Sequence, residues 1–345
     1  MRTSRLSIIS AVFGLALATP LLAQEAEQRT SVARLSADVK QSITRGLEAF
    51  AASQNPDGSW GQRNRSGGTA LGLMSFMLQG HIPGEGKYGE AMSKAIGFIL
   101  SVEKNGYFHG DNANTPGTKA MYEHGLALLA LSEAWGQSQD PRIRPALIRA
   151  VNTTLNAQNS EGGWRYTPRP TSADTSCSAM QIVALASAKE SGIAVPAKNM
   201  QQAVDFLLAC EVRSTGGFSY QILSSGPLGG AAFPRSAACT LALMLSGEHK
   251  HPATRAGVAY IGALPDSIFE NEKAYYYGHY YAVQAMYQAG DEQFNKWYPK
   301  ISAALLAKQD KNGGWGDPNG FSAVDTGFAI LILGVPYRFL PIYQK

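Results

Sequence analysis

The stretch that decides the fold runs from Gln158 to Leu185, QNSEGGWRYTPRPTSADTSCSAMQIVAL. It begins with a Gln-x-x-x-Gly-x-Trp turn, passes through a Pro-rich loop, and enters an apolar helix of small residues at Asp174-Thr175. The same turn recurs as Gln54-Asn-Pro-Asp-Gly58-Ser-Trp60 and as Gln309-Asp-Lys-Asn-Gly313-Gly-Trp315. Gly58, Gly162 and Gly313 stand where a helix ends and the backbone needs positive φ, a conformation glycine adopts without steric cost. The Gln side chain can bond free backbone groups near the turn, and the Trp can cover it. Such a turn ties neighbouring units together, so it reads as structural rather than catalytic.

Working outward, each unit repeats one plan: a helix, a Gly-aromatic turn, a loop, and a second helix rich in Ala, Leu and Ser. The turn aromatics read as Trp60, Tyr107, Trp164, Phe218 and Trp315, with one further unit between the last two whose turn is degenerate. First helices are expected over 42–53, 91–102, 144–157, 200–211, 253–263 and 294–308. They mix apolar residues at three- and four-residue spacing with Lys, Arg and Gln, as burial of one face requires. Second helices are expected over 69–79, 123–135, 175–189, 236–246, 279–289 and 326–335. They are almost uncharged, and a helix apolar on nearly all sides is a buried one. Six polar-first, apolar-second hairpins predict two concentric rings, an all-α (α/α)6 toroid. An open solenoid of hairpins is the competing architecture. The count of six and the lack of polar capping units favour closure, and the absence of alternating strand runs excludes a β-propeller.

The chain begins MRTSRLSIISAVFGLALATPLLAQEAEQ. Arg2 and Arg5 precede an apolar run, and cleavage after Ala23 follows Leu-Leu-Ala, so residues 1–23 read as a secretory signal peptide and 24–41 as a leader. The expected location is therefore exported, periplasmic or secreted. Later apolar runs such as 328–335 are far shorter than the ~20 residues a membrane span needs. Subtracting Arg2 and Arg5 lowers the formal charge from +4 to +2, which gives no reason to expect nucleic acid as a partner. The three cysteines, Cys177, Cys210 and Cys239, form neither a disulfide framework nor a Cys-x-x-Cys spacing; a Cys210–Cys239 bridge stays open.

The turns resemble the QW repeats of the squalene cyclase and prenyltransferase superfamily, over nearly the whole chain after residue 23. The chain is similar to exported bacterial proteins with prenyltransferase/squalene oxidase repeats, and the ending Val335–Gln344 resembles theirs. In squalene-hopene cyclases an Asp-x-Asp-Asp-Thr-Ala motif protonates an alkene. Ser172-Ala173-Asp174-Thr175 keeps one Asp-Thr pair of that motif and lacks the other acids; Val324-Asp325-Thr326 is a second partial echo. Prenyltransferase β subunits hold zinc through Asp, Cys and His. Asp174, Cys177 and His279 supply those types without the family spacing.

Aligning the second helices places Glu123, Cys177 and Asp325 at equivalent early positions, with His124 and His279 matching each other one residue later. In a closed ring these starts surround one mouth. Asp174 and Asp325 read as helix N-caps or as general acids, since Asp is a preferred cap worth ~1 kcal/mol. Cys177 reads as a nucleophile, a metal ligand or a buried thiol. Tyr275, Tyr276, Tyr277, Tyr280 and Tyr281 crowd around His279 in KAYYYGHYYAVQAMY, as ring faces for a cation, sugar or apolar chain or as packing that replaces the missing turn aromatic.

The sequence thus points to a monomeric toroid that binds an apolar, carbohydrate-like or peptide ligand at the mouth, with no cofactor expected beyond zinc as an outside case. A cyclase-like isomerase or lyase using Asp174 or Asp325, and a structural module of an envelope assembly, are the alternatives.

Overall fold

The computed structural model describes residues 35–109, 120–223, 225–316, 321–337 and 340–343. The expected signal peptide and most of the leader lie outside these residues, as does most of the loop before Met121.

Each hairpin begins with an amphipathic outer helix. These are α1 (Ala37–Ala52), α3 (Gly89–Ser101), α5 (Ile143–Asn156), α7 (Ala197–Ala209), α9 (Pro252–Gly262) and α11 (Asp291–Lys308). In α1 the buried Val39, Ile43, Leu47 and Phe50 recur every three or four residues, which places them on one face. That helix starts at Ala37 under the Ser36 cap, so the end of the expected leader is helical. The inner helices are α2 (Arg65–Leu78), α4 (Ala120–Trp135), α6 (Thr175–Glu190), α8 (Phe233–Leu245), α10 (Tyr275–Ala289) and α12 (Ala323–Gly334). They are buried almost all round; in α2 every residue from Ser66 to Leu78 is inside.

Each inner helix packs on the next, and α12 returns onto α2, so the six close into a ring. The outer helices α1, α5, α7, α9 and α11 each lie against two inner neighbours, and α11 also meets α1. This is the expected (α/α)6 toroid rather than an open solenoid. Small residues let the inner helices approach. A Cβ on Gly125 would sit 2.7 Å from Met180 Cγ across the α4–α6 seam. The described strands are short antiparallel pairs in the connections. They are β1 (Glu103–Lys104) with β2 (Tyr107–Phe108), β3 (Glu211–Val212) with β4 (Gly217–Phe218), and β5 (Gln221–Leu223) with β6 (Gly226–Leu228).

The turns are the joints of the ring. Gln158 Nε2 donates to Gly162 O at 2.7 Å and to Asn199 O, on the following outer helix, at 2.9 Å. Gln54 makes the matching pair with Gly58 O and Ala91 O, and Gln309 with Gly313 O and Ser42 O. The last pair joins the sixth hairpin to the first and so seals the ring. Each indole donates back into its own hairpin, Trp60 Nε1 to Phe50 O, Trp164 Nε1 to Thr154 O and Trp315 Nε1 to Leu305 O.

In five hairpins the backbone amide of the turn aromatic is buried, and the opening of the following inner helix supplies its acceptor. Trp60 N bonds Thr69 Oγ1, Trp164 N bonds Ser178 Oγ, Phe218 N bonds Ser236 Oγ, and Trp315 N bonds Thr326 Oγ1. In the second hairpin the donor is Phe108, whose amide reaches His124 Nδ1 at 3.2 Å. The turn aromatic there is therefore the fully buried Phe108 and not the half-buried Tyr107. In the fifth hairpin the turn is a 3-10 segment, Asp266–Phe269, with Phe269 stacked on His279 at 5.3 Å. Phe269 fills the position the sequence seemed to leave vacant.

Gly313 has φ +91°, and a Cβ there would lie 2.5 Å from the Arg45 carbonyl oxygen of α1. Gly313→Ala is expected to cost about 2 kcal/mol or more in denaturant melts, through both left-handed strain and the collision. Gly97→Ala is the contrast. Its added methyl meets nothing within 4 Å, so helix propensity should stabilise by about 0.5–1 kcal/mol. Equal effects at the two positions would remove the turn's role as a joint.

Candidate functional site

The N-terminal turns of the inner helices gather at one end of the ring, where their orphan amides must be satisfied. Much of the polar inventory expected to line a mouth is used for this. Glu123 Oε2 accepts from Ser66 N at 3.1 Å and Gly67 N at 3.4 Å, so α4 caps α2. Asn64, which precedes α2, is left-handed and gives no side-chain cap, which is why the acceptor comes from next door. Thr175 N donates to Tyr220 O at 2.9 Å, and Met121 N to Tyr166 O at 3.2 Å. The chain after each of these turns thus lies across the start of the preceding inner helix.

Asp174 is the N-cap of α6, with Oδ1 accepting from Cys177 N at 2.8 Å. It is fully buried, and Oδ2 has no hydrogen-bond partner, with Arg165 Nε 3.8 Å away. Burial raises its carboxyl above the usual range, opposed by the Cys177 amide, the Arg165 charge and the Tyr220 hydroxyl. Asp325 differs from expectation. The cap of α12 is Ser322, whose Oγ accepts from Asp325 N and donates to Asp325 Oδ2 at 2.7 Å. Asp325 therefore serves as the partner of a cap and not as the cap itself.

His124 and His279 do share one register, but it is the joint register and not the mouth. His124 bridges the Phe108 amide to Thr154 Oγ1 of α5, so its ring faces outward between the rings. With Nδ1 accepting, Nε2 carries the proton. His279 Nε2 lies 3.0 Å from Ile268 O, among Phe233, Phe269, Tyr275 and Trp297. Cys177 points its thiol at Arg165 O, and burial holds it well above the usual thiol range, which suits neither a nucleophile nor a metal thiolate. With His279 on Ile268 and Cys177 on Arg165, the zinc trio does not converge. Among the described residues no three His, Cys, Asp or Glu side chains could hold a metal. Cys177, Cys210 and Cys239 are all buried free thiols, so the open Cys210–Cys239 bridge is not formed.

What remains at the mouth is aromatic. Tyr122 lies 6.2 Å from Tyr166 and 6.4 Å, edge-on, from Tyr277. Tyr166 and Tyr220 share a short hydroxyl contact, and the Arg165 guanidinium sits 5.4 Å over the Tyr166 ring. Tyr277 donates to Ser176 O and packs on Tyr281 at 4.8 Å. Tyr276 stays half-buried, while Tyr275 donates to Phe269 O and packs around His279. Tyr280 and Tyr281 are fully buried against each other, and Tyr280 also packs on Phe328. The tyrosine run thus divides: Tyr277 toward the mouth, Tyr275 toward the joint with Tyr276 edge-on against it, Tyr280 and Tyr281 into the core. Sequence reasoning missed Tyr122, Tyr166 and Tyr220. A signal existed for two of them, because Tyr166 and Tyr220 each stand two residues after a turn aromatic, Trp164 and Phe218.

No family model matches the chain, and no curated protein matches it. Solved structures do. A family 76 glycoside hydrolase (mannosidase) from Bacteroides thetaiotaomicron superposes with a TM-score of 0.65 at 12% identity, covering 88% of this chain and 98% of its own. The α-1,6-mannanase of the same family from Salegentibacter sp. gives 0.61 at 11% identity, over 86% of this chain and 98% of that one. The type II terpene cyclase MstE from Scytonema gives 0.60 at 16% identity, over 88% and 100%. Likeness at such identities establishes the helical toroid fold.

Burial pushes His124 down to about 3, so it is neutral when folded and takes up a proton on unfolding below its ordinary pKa of about 6.5. Its stabilising share is complete above about 6.5 and is lost as pH falls toward about 3. The melting temperature should fall through that window. His124→Thr, the residue type used by the first and last joints, should melt lower at neutral pH yet show a shallower acid slope. An unchanged slope would mean that His124 does not carry this dependence.

Proposed function

We propose that the chain is a ligand-binding toroid whose tyrosine-lined mouth takes an elongated apolar molecule of the isoprenoid class. The observation that carries this reading is the set of half-buried rings Tyr122, Tyr166, Tyr220 and Tyr277 converging at one end of the ring. These rings offer apolar area, and three of the hydroxyls are already engaged, Tyr166 and Tyr220 on each other and Tyr277 on Ser176 O, so an apolar chain can replace water there at little polar cost. Among structural neighbours, MstE has been captured with geranylgeranyl dihydroxybenzoate as substrate, and the Salegentibacter mannanase with α-1,6-mannotriose. The mannanase in that complex was inactivated by replacing two adjacent aspartates, and no Asp-Asp pair occurs in this chain. That variant holds its oligosaccharide without those aspartates, so their absence here speaks against mannan hydrolysis, and the preference for an apolar ligand rests on the tyrosine rings. The turns fit the QW-repeat resemblance, and export through the signal peptide would place the ligand outside the cytoplasm.

A second reading rests on a different observation. Asp174 is buried, raised above its usual range, and has an oxygen free of hydrogen bonds beside the mouth tyrosines. A carboxyl in its protonated form can donate a proton to an alkene, and nearby tyrosine rings can stabilise the cation that results. This would make the protein a cyclase-like isomerase with Asp174 as acid. Asp325, engaged by Ser322, is the poorer acid.

Geranylgeraniol and mannotriose, titrated against the whole chain, separate these readings. Geranylgeraniol should bind and mannotriose should not, and Tyr122→Ala and Tyr277→Ala should each weaken binding about tenfold, on the order of 1.4 kcal/mol. Saturable binding of mannotriose alone would overturn the apolar assignment. Product formation from an isoprenoid that Asp174→Asn abolishes while binding persists would establish the isomerase; no turnover in the wild type would leave a binder.

A further inference from the structure

At the other end of the ring, the C-terminal turns of α2, α4 and α6 border a cavity of about 750 Å3. Its wall is apolar at Met77 and Pro341, aromatic at Trp135, and carries Glu133, Ser187 and Glu190. Glu133 is only 3% exposed. Its Oε1 accepts from Ser187 Oγ at 2.6 Å, whereas Oε2 has no hydrogen-bond partner, although the Ile342 amide faces the carboxyl. Among the described residues lining the cavity there is no Lys, Arg or His. The three helices also bring the negative ends of their dipoles to this place. A buried carboxylate with a bare oxygen, a second carboxylate on the wall, three helix C-termini and no cation among the described lining residues make a strongly one-signed site. Such a group is costly to keep charged unless something positive meets it.

We propose that this cavity binds an organic cation, an ammonium group carried on an apolar body, with the ammonium on Glu133 Oε2 and the body against Trp135, Met77 and Pro341. The ammonium makes a charge-assisted hydrogen bond with the free oxygen. The Trp135 ring adds a face suited to the positive end or to the methylenes beside it. An anionic or neutral chain of equal length gains only the apolar wall. The site is separate from the tyrosine mouth and does not depend on what that mouth holds.

The probe is octylammonium, with 1-octanol and octanoate as length-matched controls, titrated calorimetrically into the whole protein at about pH 8. Octylammonium should bind at one site per chain and at least tenfold tighter than either control. Glu133→Gln should weaken it at least tenfold while leaving the 1-octanol affinity unchanged, and Tyr277→Ala should leave octylammonium binding intact. Burial raises the Glu133 carboxyl to about 7, so wild-type affinity should drop about tenfold between about pH 8 and pH 6 as the carboxyl takes its proton. Glu190 is the other titratable group lining the cavity, and Glu190→Gln should preserve that pH dependence. If Glu133→Gln does not fold, the wild-type pH series together with Trp135→Ala decides the matter. Equal binding of 1-octanol, a flat pH series, loss of binding in Tyr277→Ala, or no saturable binding would each overturn the proposal.

Discussion

A buried backbone amide must find an acceptor, and in this ring the amides of five turn aromatics find it on the next inner helix. An unpaired amide at such a place costs on the order of 1–3 kcal/mol, more than a typical paired one contributes. Thr69, His124, Ser178, Ser236 and Thr326 meet that demand in five of the six hairpins. In the remaining one His279 binds a carbonyl instead, Ile268 O, because a 3-10 segment has replaced the glycine turn. This contact fixes the angle between turn and inner helix. The Gln bridges then fix the turn against the next outer helix, and repetition carries both constraints round to Gln309 and Ser42, where the circle closes.

The same demand decides which side chains are left for a ligand. A ring of parallel inner helices gathers orphan amides at one end, and carboxylates and hydroxyls are drawn there to satisfy them. Glu123, Asp325, His124 and His279 all look catalytic in a sequence, and all are engaged in caps or joints. Asp174 is only half consumed, since one oxygen caps α6 and the other lies 3.8 Å from Arg165 Nε, beyond hydrogen-bond reach. The residues with surface left to offer are the tyrosines, whose hydroxyls need only one partner and whose rings need none.

The fold was legible because its signals are local and repeated: glycine where φ must be positive, Trp where the turn must be covered, uncharged helices where both faces are buried. Helix limits fell within a few residues for the same reason. Less legible was anything set by contact between hairpins. Tyr107 and Phe108 are both aromatic, and only the amide bond to His124 shows that Phe108 is the one in register. Phe269 was invisible because its turn carries no glycine. The alignment of His124 with His279 was sound, but a helix position does not say which way a ring points. Tyr122, Tyr166 and Tyr220 escaped notice because they come from three hairpins and meet only after closure.

Closure also makes the two ends of the ring chemically unlike. Outer helices run against inner ones, so at a distance their dipoles largely cancel and only the terminal turns matter. At the tyrosine end the exposed polarity is that of amides; Asp174 and Glu123 cap them, and Asp325 holds the Ser322 cap. At the other end it is that of carbonyls, for which a basic side chain would be the natural complement. Glu133 is the wrong sign for that place, is buried there, and has one oxygen without a partner. An acid at an amide end is explained by the helix it caps. An acid at a carbonyl end is not, and that asymmetry is the ground on which a cation is proposed for the second cavity.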